Sequence, residues 1–524
     1  MMRVGRRTGD GSMTFRSIWL IFTACAAVSL VVAAMAALNT ALPDIAVDTG
    51  ATNAEMTWII DGYTLVLAAL LLPAGAIGDR IGRRTVLLVG LAVFGTASLA
   101  AVWVDGPTSL IVTRVGAGVG AALIMPSTLS LITAGVPREK RAIAISVWAA
   151  VAGAGAIAGF FVTGLLLNFF HWNSVFIAFA ASSAATFLLT LTIGSSKDEH
   201  PGRFDVLGSL TSMSAVAGVV YGLLEGPHRG WTDPLILVCL IGGAGLIVAF
   251  VRIEQRRTDP LLDVGLFRNR AFASGSLSVA LQFLASFGLF YLVLQQLQMV
   301  YGYSALKSAV ALFPMVAGVG VFAMLGNWIA VRFDSLRFVL ATGIGITAAG
   351  VILLGVVDTD EYWKLGVLLS VCAVGIGLAT APSTTAIMSN TPLENQGVGS
   401  AVNDTAREFG AAIGIALAGS IMAAGYEARI GATAAAAKNQ IGAFDPAAGA
   451  QAEEAIRGSL AGAVKVSDSL PGQASQLAHE IVSGAQGAFL PPMQSACLVL
   501  GGTLAVGALF LGWFAPRKIL EPAC

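Results

Sequence analysis

The chain has 524 residues, of which 56% are hydrophobic and only 11% charged. Its mean hydropathy is +0.80. A soluble domain carries about 25% charged residues, so the composition excludes a soluble protein of this size, and it excludes general disorder, which needs low hydrophobicity. Lys plus Arg and Asp plus Glu both number 30, which leaves no basic excess for a nucleic acid. A polytopic, all-α membrane protein remains, and 61 glycines suit that class.

A bilayer-spanning helix needs about 20 apolar residues. In chain order, candidate spans cover 18–40, 57–78, 85–104, 108–134, 143–168, 174–194 and 206–225. They continue at 235–251, 271–298, 306–331, 336–357, 364–388, 399–425 and 490–514. The count is fourteen, an even number, so both termini share a side. Ala34-Met35-Ala36 looks like a signal-cleavage site, but the apolar run before it exceeds the about 7–15 residues of a signal core, so a retained span is expected. With the N-terminus cytoplasmic, 21 of the 30 basic residues fall on inside segments and seven outside, with Arg114 and Arg407 inside spans. That asymmetry satisfies the positive-inside rule. The segment 427–486 is hydrophilic, rich in Ala, Gly and Gln, and broken by Pro446 and Pro471. It is expected to be an external surface loop, with 452–466 as a possible short amphipathic helix.

No phosphate-binding Gly-rich loop ending in Lys-Ser or Lys-Thr is present, and no His-Glu-x-x-His. Cys25, Cys239, Cys372, Cys497 and Cys524 show no metal or disulfide spacing, and four dispersed histidines form no cluster. No cofactor, metal or enzymatic activity is expected. The chemistry lies within the bilayer, and transport is the leading reading.

Between the second and third spans stands Gly75-Ala76-Ile77-Gly78-Asp79-Arg80-Ile81-Gly82-Arg83-Arg84. Its glycines let two helix ends approach closely. Asp79 can accept hydrogen bonds from a neighbouring helix N-terminus or pair with an Arg, and Arg83 and Arg84 anchor the inner surface. The first span ends in Asn39-Thr40-Ala41-Leu42-Pro43, and the second opens with Trp58-Ile59-Ile60-Asp61-Gly62-Tyr63. The fourth carries Arg114 through Gly118 and Gly120 to Ala122. Asp259-Pro260-Leu261-Leu262 and Leu266-Phe267-Arg268 follow the eighth, and Gly397-Val398-Gly399-Ser400-Ala401-Val402-Asn403 opens the thirteenth.

In this order the motifs resemble those of the major facilitator superfamily, in its 14-helix drug:proton antiporter branch of EmrB/QacA-like transporters. The resemblance covers essentially the whole chain. It implies two six-helix halves joined by two central helices, with alternating access between the halves. The corresponding division is a cytoplasmic tail at 1–17, an N-terminal half at 18–194, connecting helices at 195–258, a C-terminal half at 259–514 and a second tail at 515–524. It further implies proton-coupled efflux of amphiphilic or cationic small molecules across the cell membrane by a monomer. Its partners would be the substrate, protons and the lipid bilayer. Gly326 to Arg337, between the tenth and eleventh spans, looks like an eroded copy of the 75–84 loop. Three positions depart from the pattern: Ala34 replaces a first-helix acid, Ala117 a fourth-helix Gln, and Phe160 the Pro of the fifth-helix antiporter motif. Gly155 and Gly159 of that motif remain and suit a small-xxx-small contact. The departures leave room for a lipid or metabolite facilitator with altered coupling, and for a non-transporting scaffold.

A charge at the bilayer centre costs about 2.5–3.5 kcal/mol on insertion scales, so charges inside spans are candidate sites. Asp61 lies about one turn in from the outer end of its span and is a candidate proton or substrate carboxylate. Arg114 must meet an acid, a carbonyl or water, and the resemblance assigns it to proton coupling. In the thirteenth span Asp404 and Glu408 share a face, with Arg407 three residues from Asp404. An internal Asp404–Arg407 pair would leave Glu408 free to titrate, unless the helix starts later and the cluster is only a wetted inner mouth. Asn39, Gln282 and Asn403 are candidate polar groups of a cavity. Phe283, Phe287 and Phe290 could line a pocket, but such a stripe is more often packing or lipid-facing.

Overall fold

The computed structural model describes residues 13–517 apart from 50, 52, 105, 198–203 and 471–473. The first six helices are α1 (Phe15–Thr49), α2 (Asn53–Ile81), α3 (Arg83–Ala100), α4 (Pro107–Gly135), α5 (Arg138–Leu167) and α6 (Asn173–Thr190). Then come α7 (Val206–Arg229), α8 (Pro234–Glu254), α9 (Arg270–Gln295), α10 (Ala305–Ala311), α11 (Phe313–Arg332), α12 (Leu336–Val356) and α13 (Tyr362–Ser389). The chain closes with α14 (Gln396–Gly442), α15 (Pro446–Gly458), α16 (Leu460–Ser469) and α17 (Ser475–Phe514). Among the described residues no strand occurs, and 14 helical segments are long and apolar enough to cross a membrane. The tenth is α10 plus α11, interrupted at Leu312 just before Pro314, which has no amide N–H to donate.

Large apolar side chains such as Val238, Ile241, Val506, Leu509 and Trp513 are exposed on the helix exteriors. Lipid is as apolar as they are, so helix association rests on close packing. Glycines supply it. A Cβ at Gly159 of α5 would lie 2.6 Å from the Ala33 carbonyl of α1, and Gly155 meets Ser29 one turn away. Gly410 and Gly414 of α14 press likewise on the backbone of Ala280 and Leu284 in α9. The second contact fixes the two helices that carry most of the central polar groups.

The apolar core falls mainly into two clusters, one built largely from α1 to α6 and one from α9 to α17. Val216 and Val220 of α7 pack with Ala68 of α2 and Ala412 of α14. Of the two connecting helices, α7 therefore touches both halves.

The segment expected as a surface loop at 427–486 is helical instead. α14 continues to Gly442, and α15, α16 and the first turns of α17 fold back on it. Ile430, Ala434 and Ala437 are buried with Ile456, Leu460, Ala463 and Ile481. The Tyr426 hydroxyl donates to the Ile456 carbonyl (3.0 Å), and Glu453 takes Lys438 (2.7 Å) and Arg457 (3.1 Å). An Ala-rich helix with one narrow buried stripe has low mean hydropathy, which is why the sequence reads as a loop. The expected helix at 452–466 is split at Ser459, whose hydroxyl accepts from Gly462 N–H and caps α16 (3.0 Å).

Candidate transport site

Two features meet at opposite depths of the bundle, a clamp at one face and a polar cluster at the centre. In the clamp, Asp79 ends α2 and meets the N-terminus of α14. One carboxylate oxygen accepts from Gly397 N–H (2.8 Å) and the other from Val398 N–H (3.1 Å). The helix dipole favours an anion there. Arg83 donates to Asp79 at 2.6 and 2.9 Å and reaches the carbonyls of Leu393 (3.0 Å) and Glu394 (3.3 Å). Both partners are buried. A Cβ on Gly75 would strike the Gly397 carbonyl, so only glycine admits this approach. Gly82 has φ 109° and turns the chain into α3. Arg84 holds the C-terminal carbonyls of α6, Thr190 (3.1 Å) and Leu191 (2.5 Å), and Arg80 lies over the Phe204 ring. Both behaviours anticipated for Asp79 occur together. The eroded copy does something else: Arg337 binds the Ala515 carbonyl (2.6 Å) within its own half.

At the centre of the first half, Arg114 is 2% exposed. Its Nε donates to the Ile59 carbonyl (3.0 Å) and its Nη2 to the Ala34 carbonyl (3.2 Å), and the guanidinium lies 4.3 Å from the centroid of the Tyr63 ring. Gly118 makes room for the Tyr63 backbone, and the Tyr63 hydroxyl donates to Val31 O (3.0 Å). Arg114 thus meets carbonyls and an aromatic face. The position where the family pattern has an acid, Ala34, contributes only its backbone oxygen.

The carboxylates sit in the other half. Because α14 begins at Gln396, the cluster lies well inside the helix, and the wetted-mouth alternative is overturned. Asp404 is fully buried, with Arg407 3% and Glu408 4% exposed. Asp404 lies 4.0 Å from Arg407 and accepts from Asn403 (3.2 Å), which itself accepts from Thr384 of α13 (3.1 Å). The Arg407 guanidinium lies over the rings of Trp148 of α5 (4.7 Å) and Phe283 of α9 (4.8 Å). Asp404 Oδ2, Arg407 Nε and Glu408 Oε2 are buried without a hydrogen-bond partner. Gln282 bonds to Ser278, Ser383 and Thr380, tying α9 to α13 (2.7–3.1 Å).

Arg407, Glu408 and Gln282 line a cavity of about 90 Å³. Its walls come from both halves: Val32 and Met35 of α1, Met125 of α4 and Ala149 of α5 face Phe283, Phe287 and Phe290 of α9 and Met315 of α11. Here the phenylalanine stripe lines the cavity, Phe283 stacking on Phe287 at 5.9 Å. A pocket for a drug-sized molecule holds roughly 300–1,000 Å³, so the halves must part before one enters.

Asp61 is not part of this lining. It is half-buried in α2 and interacts electrostatically with Glu225 of α7, near the Trp58–Tyr221 ring pair. The Asn39 side chain lies outside the described residues, as does Cys524. The sequence did not single out Trp148 or Thr384, and no local signal marks them. Tyr63 stood in a recognised motif without a role. Among the described residues no group of three or more His, Cys, Asp or Glu could hold a metal ion.

Comparison with known proteins gives this geometry a lineage. Over residues 24–415 the chain matches the family model of the Major Facilitator Superfamily. It is 32% identical to the multidrug efflux pump LfrA of Mycolicibacterium smegmatis, over 95% of this chain and 98% of that protein. It is 32% identical to the methyl viologen resistance protein SmvA of Salmonella typhimurium, over 92% and 94% respectively. Among solved structures the proton:xylose symporter XylE aligns with a TM-score of 0.58 at 13% identity, covering 96% of this chain and 97% of that one, a likeness of fold. The chain belongs to the major facilitator superfamily.

Proposed function

We propose that this chain is a proton-coupled exporter of amphiphilic organic small molecules in the cytoplasmic membrane, acting as a monomer with both termini in the cytoplasm. The divisions 18–194, 195–258 and 259–514 are its two halves and their connector. The observation that carries the reading is the central cavity, walled by both halves, where an aromatic face meets Arg407 and Glu408. Relatives that are 31–32% identical and named for efflux or drug resistance support it.

In this mechanism Glu408 is the proton carrier. Asp404 and the two aromatic faces hold Arg407 in place beside it. Loss of the Glu408 proton inward accompanies substrate binding, the halves rock, the clamp of Asp79 and Arg83 closes the inner side, and reprotonation from outside releases the substrate. Arg114 acts through Tyr63, whose ring it lies over and whose hydroxyl ties α2 to α1 at Val31. Asp61, near the outer end, serves proton entry. One charge crossing 100 mV supplies about 2.3 kcal/mol, enough for useful accumulation.

The test is proton flux in inside-out vesicles with an acid interior. Adding an amphiphilic substrate should release protons from the wild type and not from Glu408→Gln. A second reading, an uncoupled lipid or metabolite facilitator, is favoured by Arg114 meeting carbonyls where the family pattern has an acid. It predicts substrate movement down a gradient with no proton release. Orientation is tested by thiol labelling: Phe444→Cys should react from outside the cell, and Arg257→Cys only after permeabilisation.

A further inference from the structure

Arg407 and Glu408 face one cavity, and both are short of partners. Arg407 Nε meets no acceptor, its acid oxygen is 4.0 Å away, and its guanidinium lies over the rings of Trp148 and Phe283. Glu408 Oε2 meets no donor. A planar guanidinium fork with free N–H groups is shaped for a carboxylate, and a carboxylate with a free oxygen suits a cationic nitrogen. Buried polar groups left unpaired are costly, and a ligand that pairs with both removes that cost.

A lipophilic cation pairs with Glu408 alone and leaves Arg407 Nε without an acceptor, whereas a zwitterion serves both groups. The stacked Phe283 and Phe287, with Phe290 edge-on to Phe287, line the cavity with aromatic rings beside the charged pair.

Building on the exporter reading, we propose that the preferred substrates are aromatic zwitterions: planar ring systems with a carboxylate for Arg407 and a cationic nitrogen for Glu408, in preference to simple lipophilic cations.

Two fluorescent probes that share a ring system separate these cases. Tetramethylrhodamine is a zwitterion, and its methyl ester is a cation of nearly the same shape. In proteoliposomes with an imposed pH gradient, kcat/KM for the zwitterion should exceed that for the ester by at least about tenfold, the worth of a charge-assisted bond. Arg407→Lys, which keeps the charge and loses the planar fork, should narrow that ratio. If the ester is carried as well as the zwitterion or better, with proton release, the exporter stands and the zwitterion preference is overturned. A ratio unchanged in Arg407→Lys overturns the carboxylate assignment. If neither dye moves and neither evokes proton release, the exporter reading falls and takes this one with it.

Discussion

Two buried arginines follow different rules. Arg114 is satisfied by backbone carbonyls and a ring, and Arg407 lies over two rings with an acid at the edge of ion-pair distance. Arg114→Leu removes donors from the Ala34 and Ile59 carbonyls, and should destabilise the folded protein by about 1–3 kcal/mol, read as a lower midpoint of thermal unfolding in detergent. The carboxylates divide as well. Glu408→Gln should abolish substrate-evoked proton release, while Asp61→Asn, away from the cavity, should reduce transport by less than about tenfold, the scale of one ordinary hydrogen bond. Equal loss in both would make Asp61 part of the proton site. Asp404, Arg407 and Glu408 could be picked out in the sequence because a charge in an apolar run is conspicuous. Trp148 could not, since a Trp in an apolar run is ordinary and its meeting with Arg407 joins residues 259 positions apart.

Among the elements, the join of α2 to α14 is the clearest local device. The motif around Asp79 was legible because its chemistry is local: glycines for approach, an acid for amide groups, arginines for the acid. The identity of the receiving helix was not, because Gly397 lies 318 residues from Asp79. Asp79→Asn should weaken the clamp by leaving Arg83 buried without its anion, a change of about 3–5 kcal/mol for such pairs. Gly397→Val should act alike by forcing the two backbones apart. In a background without native cysteines, both should raise the reactivity of Met125→Cys toward a membrane-impermeant thiol reagent applied from the clamp side. An unchanged rate in both variants would remove the clamp from the gating cycle.

Taken whole, the molecule is a bundle with a helical cap that the sequence concealed. Glu453 is the cap's ionic knot. Its hydrogen bond from Lys438, then the charge of Lys438 and the contacts of Arg457, hold its carboxyl below the usual range. A depressed carboxyl contributes stability that is fully present above its unfolded value and is lost as pH falls through the folded one. Hydrogen-exchange protection across 430–469, taken relative to the intrinsic rate at each pH, should therefore be unchanged between pH 7 and 5, and should fall only at more acidic pH. Lower protection at pH 6 would mean that another group holds the cap. At all pH values the buried stripe of Ile430, Ala434 and Ile456 should exchange more slowly than a loop.

The sequence by itself determined the class and the span count, because those depend on composition summed over some twenty residues. It also determined which side chains would be costly to bury. Only the tertiary structure decided which of them meet. The cavity takes residues from α1, α4, α5, α9, α11, α13 and α14, and what lines it depends on how each helix is rotated about its axis. That rotation is set by glycine contacts such as Gly159 on Ala33 and Gly410 on Ala280. In lipid no apolar face is driven inward, so periodicity along one helix does not reveal its neighbour, and close packing between helices settles it.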